Sequence, residues 1–98
     1  MDLAAFRTSL EGTEPPPGVG VHLAALWWDA KGYWHRAHGC VDGATGRDAA
    51  WVHAYLHRKE GDLSNARYWY AQANQVVAKG PLAEEWTAIA ATLLAAQS

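Results

Sequence analysis

The sequence predicts an all-α fold, and three observations carry that reading. Apolar residues recur at three- and four-residue spacing in most of the chain, as in Leu63, Ala66, Tyr70, Ala73 and Val77. Helix-breaking residues interrupt these stripes at intervals that suit short helices: Gly32, the Gly43–Gly46 stretch, Gly61 and Gly80-Pro81. No stretch alternates apolar and polar residues with the period of two that marks a half-buried strand. The pattern reads as about six short helices in antiparallel helix-turn-helix pairs, forming one compact bundle.

Each element has its own local signal. Asp2 can cap a first helix, and Leu3, Phe6 and Leu10 share one of its faces, giving a helix over 1–11. Residues 12–20 contain Glu14-Pro15-Pro16-Pro17-Gly18, which favours a stiff extended linker. Val21 to Lys31 is helical, with Val21, Leu23, Leu26, Trp27 and Trp28 spread round most of its circumference, so this helix is expected to be largely buried. Tyr33 to Val41 places Tyr33, Ala37, Cys40 and Val41 on a core face and His35, His38 and Asp42 opposite, an imidazole-carboxylate set that could offer a metal a third or fourth ligand near Gly39 and Cys40, although a solvated face is expected. Asp48 is a good cap for a helix over Ala49–Glu60, which Gly61 ends. Asp62 caps a long helix over Leu63–Lys79, stopped by Gly80-Pro81. Leu82, Trp86, Ile89 and Leu93 form the inner face of a last helix over 82–96.

Composition narrows the function. The chain has 98 residues, one domain's worth, with half of them hydrophobic and 18% charged. The net charge is −2 and there is no basic run, which argues against nucleic acid, whose binders gain affinity by neutralising phosphates. No apolar run approaches the ~20 residues of a membrane span. The N-terminus does not read as a secretory signal, and Cys40, the single cysteine, permits no internal disulfide, so a cytoplasmic protein is expected. There is no Gly-rich phosphate loop and no Gly-x-Ser-x-Gly elbow, and no cofactor is implied. Aromatic residues are abundant: five of six Trp and all four Tyr fall between Trp27 and Tyr70. That density suggests that some of these rings line a surface groove.

The stretch Glu60-Gly61-Asp62-Leu63-Ser64-Asn65-Ala66-Arg67-Tyr68-Trp69-Tyr70-Ala71-Gln72-Ala73 resembles the second half of a tetratricopeptide or Sel1-like repeat. Gly32-Tyr33-Trp34-His35-Arg36-Ala37 echoes the same turn more weakly. The resemblance covers residues 21–79 as two repeat-like helical pairs, with 1–11 and 82–96 as flanking caps. It departs from the family in spacing, since Gly32 and Gly61 are 29 residues apart against about 34 in a regular array. The chain also resembles a small bacterial family, without an assigned activity, that carries a similar His-Arg-x-Glu-Gly-Asp stretch. What the repeat resemblance implies is a non-catalytic scaffold for a protein or peptide partner.

Two site readings follow from the residues. In the first, the inner surface of the two pairs presents Trp27, His53, His57, Arg58, Asn65 and Trp69 to a partner. The amide-flanked indole of the Asn65, Trp69, Gln72, Val76 stripe suits a peptide backbone, because the ring supplies area and the amides both donate and accept. In the second, His53, His57 and Glu60 stand at i, i+4, i+7 of one helix and could chelate a divalent metal, making a metal- or small-ligand-binding protein or a metal-dependent enzyme. Ala54 stands where a zincin motif needs glutamate, which disfavours protease chemistry. The bland alternative is a buried hydrogen-bond network, with Arg58 pairing Asp62. The small-residue surface of Ala83, Ala90, Ala91 and Ala95 also admits a homodimer.

Overall fold

The amphipathic stripes become helices in the computed structural model, which describes residues 1–97. They are α1 (Leu3–Ser9), α2 (Gly20–Ala30), α3 (Trp34–Val41), α4 (Arg47–Glu60), α5 (Leu63–Ala73) and α6 (Leu82–Ala96), and no strand occurs among the described residues. None of these helices is long and apolar enough to cross a membrane.

Two tight hairpins organise the chain: α2 with α3, and α4 with α5. Their turns are built alike. Gly61 adopts φ 93°, Gly61 N–H donates to Arg58 O, and Asp62 N–H donates to His57 O. Gly32, at φ 90°, closes α2 in the same way, with Tyr33 N–H donating to Trp28 O. Both positions need the left-handed backbone that glycine enters without a Cβ penalty. The Asp62 carboxylate then accepts from Asn65 N–H and starts α5, so that only Gly61 and Asp62 separate the two helices.

α4 is the central element and packs on α2, α3, α5 and α6. Every residue from Val52 to His57 is buried. The core joins Phe6, Leu23, Leu26, Trp27, Val41, Val52, Leu56 and Ile89, each fully buried, from α1, α2, α3, α4 and α6. α1 and α6 are therefore part of this core rather than terminal covers. Phe6 stacks on Trp86 with ring centroids 6.0 Å apart, and Trp86 Nε1–H donates to Leu26 O at 2.9 Å.

Several sequence expectations are corrected. α5 ends at Ala73, not Lys79, because Asn74 takes a left-handed conformation (φ 57°, ψ 43°) and its neighbour Gln75 donates to Tyr70 O. Val76 and Val77 therefore leave the helical stripe, and Val76 is 88% exposed. α4 starts two residues early, with Gly46 at its cap position and Asp48 in its first turn. Asp48 still favours that end, as a negative charge near the positive end of the helix dipole. Val21 and Tyr33 are exposed, and Ala90 is fully buried, so it cannot belong to a dimer face.

Two buried carboxylates, unforeseen from the sequence, tie α4 and α5 to their neighbours. Asp29 of α2 is 2% exposed; it accepts from Tyr55 Oη at 2.7 Å and from Lys59 Nζ at 2.8 Å. Glu85 of α6 accepts from Tyr70 Oη and, at 2.9 Å, from Arg58 Nη1. Arg58 also donates to Gly80 O, so its partners are Glu85 and Gly80 rather than Asp62. Burial, then the adjacent carboxylates, push both tyrosines well above the ordinary value of 10.0.

The two phenols thus stay protonated in the fold at pH values where the unfolded chain releases them. Above the ordinary value of 10.0 the unfolded state binds fewer protons than the native one, so stability falls as pH rises further. Below it this contribution is constant. We expect the urea midpoint to hold between about pH 8 and about pH 9 on this account and to fall above about pH 10. A Tyr55→Phe, Tyr70→Phe variant loses much of that drop, while being less stable at neutral pH because Asp29 and Glu85 each lose a donor.

Candidate functional site

The antiparallel crossing of α3 over α4 brings three histidines together. His38 comes from α3, and His53 and His57 lie one turn apart on α4. Ring centroids of His38 lie 5.1 Å from His53 and 5.3 Å from His57, and His53 and His57 are 5.8 Å apart. One ring nitrogen from each residue lies within 4.8 Å of the other two. His53 is 3% and His57 7% exposed, while His38 is half-buried and forms the open side.

Indoles hold this cluster from two sides. Trp69 of α5 stacks on His53 at 4.2 Å between centroids with planes 12° apart. Trp34 of α3 stacks on His38 at 5.1 Å and 7°, and its Nε1–H donates to Leu56 O at 2.8 Å. Flat contacts of this kind fix ring planes as well as ring positions. Tyr68, exposed, meets the edge of Trp69 at 5.1 Å.

Hydrogen bonds then settle which nitrogens are spent. His53 Nε2 sits 3.0 Å from the Val41 carbonyl, which can only accept, so Nε2 carries the hydrogen. Nδ1 of His53 is buried and has no hydrogen-bond partner among the described residues. On His57, Nδ1 meets Glu60 Oε2 at 2.6 Å, leaving Nε2 as its second nitrogen. Burial, opposed by the Val41 contact, keeps the His53 imidazole below its ordinary value of 6.5 and therefore neutral at pH 7. A neutral imidazole with one nitrogen donating to protein is the form that binds metals.

The sequence-predicted residues divide on this geometry. His53 and His57 join as expected. Glu60 does not reach His53 and instead accepts from the back of His57, so the third histidine, His38, takes the place foreseen for Glu60. His57, Glu60 and Asp62 form a second, more exposed set of donors within 4.8 Å of one another. Trp69 is half-buried and stacks on His53. Asn65 is half-buried one turn before Trp69. Trp27 is 0% exposed, with its Nε1–H donating to Ser9 Oγ at 3.1 Å, so its ring cannot meet a partner. Arg58 is committed to Glu85 and Gly80. The single groove lined by Trp27, Arg58 and Trp69 together is not assembled. On α3, His35 and Asp42 are exposed as expected, but His38 turns inward. Cys40 packs at the edge of the core, and burial raises its thiol above the ordinary range, as befits a small hydrophobe.

His38 and Trp34 were missed as partners of the α4 pair. A signal existed: Trp34/His38 and His53/His57 are both i, i+4 ring pairs, on helices joined by one short connection. Comparison with known protein families, with curated proteins and with solved structures found no match.

Because the indole of Trp69 covers His53, a Trp69→Ala variant is expected to lose about 2 kcal/mol of stability in urea denaturation, below the range for a fully buried Trp. Trp69→Phe, which keeps a ring on the imidazole, is expected to lose less than half of that. Equal losses in the two variants would show that the stack contributes nothing.

Proposed function

We propose that this protein binds a divalent transition metal through His38, His53 and His57, with a further coordination position left to water or a small exogenous ligand. The observation that carries this reading is the unpartnered, buried Nδ1 of His53, a member of a cluster of three imidazoles. A buried polar atom left without a partner costs about 1–3 kcal/mol, and a bound cation would remove that cost.

The chemistry of the donor set points to a class of ion. A set of three imidazoles, with Glu60 bonded behind His57 rather than within the set, suits zinc, copper, nickel or ferrous iron rather than calcium or magnesium. Metal–nitrogen distances of about 2.0–2.1 Å at a tetrahedral centre put ligand nitrogens roughly 3.3 Å apart. Nitrogens within 4.8 Å need close by no more than about 1.5 Å to reach it, which half-buried His38 can supply. Val41 O and Glu60 are already in the outer positions that orient metal-bound imidazoles. Three protein ligands with an open position is the pattern of reactive rather than purely structural zinc. When bound, such an ion acts as a Lewis acid and lowers the pKa of its water. The protein's own share is to hold the rings between Trp34 and Trp69 and to keep the site dry on the α5 side.

Titration calorimetry and elemental analysis of the untagged protein test this. One equivalent of zinc, nickel, cobalt or copper is expected to bind, with quenching of indole fluorescence by copper from the adjacent Trp34 and Trp69. At a metal concentration of about 100 times Kd, linkage adds about 2.7 kcal/mol, or a rise in Tm of about 10–20 °C for a domain of this size. His38→Ala, on the accessible side, is expected to lower affinity at least about 100-fold without unfolding the chain. No saturable binding of any of these ions, or equal binding by His38→Ala, rules the centre out.

Glu60 acts here as a positioning residue. Glu60→Ala is expected to weaken metal binding about 10–100-fold. Glu60→Gln keeps an acceptor oxygen and is expected to restore most of it. A cobalt absorption spectrum that keeps its shape in both variants checks that the ligand set is unchanged.

A further inference from the structure

A second site of different chemistry lies beside α5, lined by its residues Leu63, Ala66, Arg67 and Tyr70. There the irregular segment 74–81 folds back over the helix and encloses a cavity of about 310 Å³. Arg58, Arg67 and Lys79 line it, together with the apolar side chains of Leu63, Ala66 and Val77. No acidic side chain does.

That concentration of charge is unusual for this chain. The protein has eight basic residues and a net charge of −2, yet three of the eight surround one small cavity. Arg58 is balanced from behind by Glu85. Arg67 and Lys79 pair with no carboxylate among the described residues; Arg67 reaches only Ser64 Oγ, at 3.5 Å. The larger cavity, about 480 Å³ between α1, α2, α4 and α6, differs on this point. Its Lys59 and Asp29 neutralise each other at 2.8 Å, and its Arg7 bonds to Thr87.

The frame of the smaller cavity is held in advance. Asn74 turns the chain away from α5, Arg58 bonds to Gly80 O at the far end, and Ala78 packs against Tyr70 and Ala66 between them. Leu63 is 55% and Val77 38% exposed, so apolar surface stands open beside the free cations. A ligand that uses both features carries an oxyanion and a short apolar body. The volume is at the small end of ligand sites, of about 300–1,000 Å³. The absence of further basic residues beyond the rim disfavours a polyanionic strand.

We propose that this cavity binds a small organic anion, a carboxylate or phosphate monoester with a short apolar body, through Arg67 and Lys79, with the apolar portion against Leu63 and Val77.

The test is an NMR titration of the metal-free protein with phenyl phosphate, hexanoate, inorganic phosphate and, as a charge control, hexyltrimethylammonium. Phenyl phosphate or hexanoate is expected to bind saturably, shifting the amides of 63–70 and 75–80, and to bind tighter than inorganic phosphate. An Arg67→Ala, Lys79→Ala variant, altered only at exposed positions, is expected to lose about tenfold or more in affinity. His38→Ala is expected to bind these anions unchanged, which separates this site from the histidine cluster. Preference for phenyl phosphate over hexanoate names the phosphate source, and the reverse names the carboxylate. The proposal is overturned if no anion gives saturable shifts at this cavity, if the double variant binds as the parent does, or if the ammonium control binds equally. A parallel titration with a glutamate-rich peptide also overturns it if the peptide binds and the small anions do not, since the occupant would then be an acidic protein segment.

Discussion

A helix packed by neighbours on nearly every side cannot leave its polar side chains to water, and α4 is such a helix. It is in contact with four others, and six consecutive residues of it are buried. Its sequence nevertheless includes His53, Tyr55 and His57 among the buried residues, with Arg58 half-buried beside them. Burying such groups without partners costs more than the packing returns. The fold answers by sending each direction of the helix to a different neighbour. Tyr55 and Lys59 go to Asp29 on α2, and Arg58 goes to Glu85 on α6. The histidines go to α3, and there the accounting leaves one atom over, Nδ1 of His53. The remaining helices are placed by these demands as much as by apolar area.

The two carboxylate hubs are built alike. In each, a buried acid from one helix accepts a tyrosine hydroxyl and a cationic side chain. Removing one member of such a set leaves the others buried and unmatched, so the set is worth more as a constraint on geometry than as net energy. In this protein the hubs fix the rotation of α4 about its own axis. That rotation points His53 and His57 at α3 and presents Arg58 to the 74–81 segment.

Much of the architecture was legible because it rests on local rules. Helix number, the two hairpins, the glycine turns at Gly32 and Gly61 and the inner face of α6 all follow from spacing and punctuation. The long reading of α5 failed because Ala73 and Val77 continue an apolar stripe, while the left-handed turn at Asn74 is decided by backbone bonds that periodicity does not register. The site was half legible. His53 and His57 stand out by their spacing within one helix, whereas His38 belongs to the cluster only through the crossing of α3 over α4. Trp27 failed as a binding residue for a related reason. In a helix that is apolar on most of its circumference, sequence does not distinguish an indole in the core from one in a groove. Asp29 and Glu85 were invisible, since a carboxylate among apolar residues reads as solvated until its donors, 26 to 30 residues away for Asp29 and 15 and 27 for Glu85, are placed.

The sharing of Asp29 between Tyr55 and Lys59 has a consequence for how this chain can change over time. Three positions on two helices form one chemical unit, so a substitution at any one of them alters what the other two tolerate. A hydrophobic exchange at 29 alone leaves the buried Tyr55 hydroxyl without its acceptor, whereas the exposed Lys59 ammonium turns to water, so the same exchange together with phenylalanine at 55 can be neutral. Positions 29 and 55 are therefore coupled, and the effect of a change at one depends on the residue at the other.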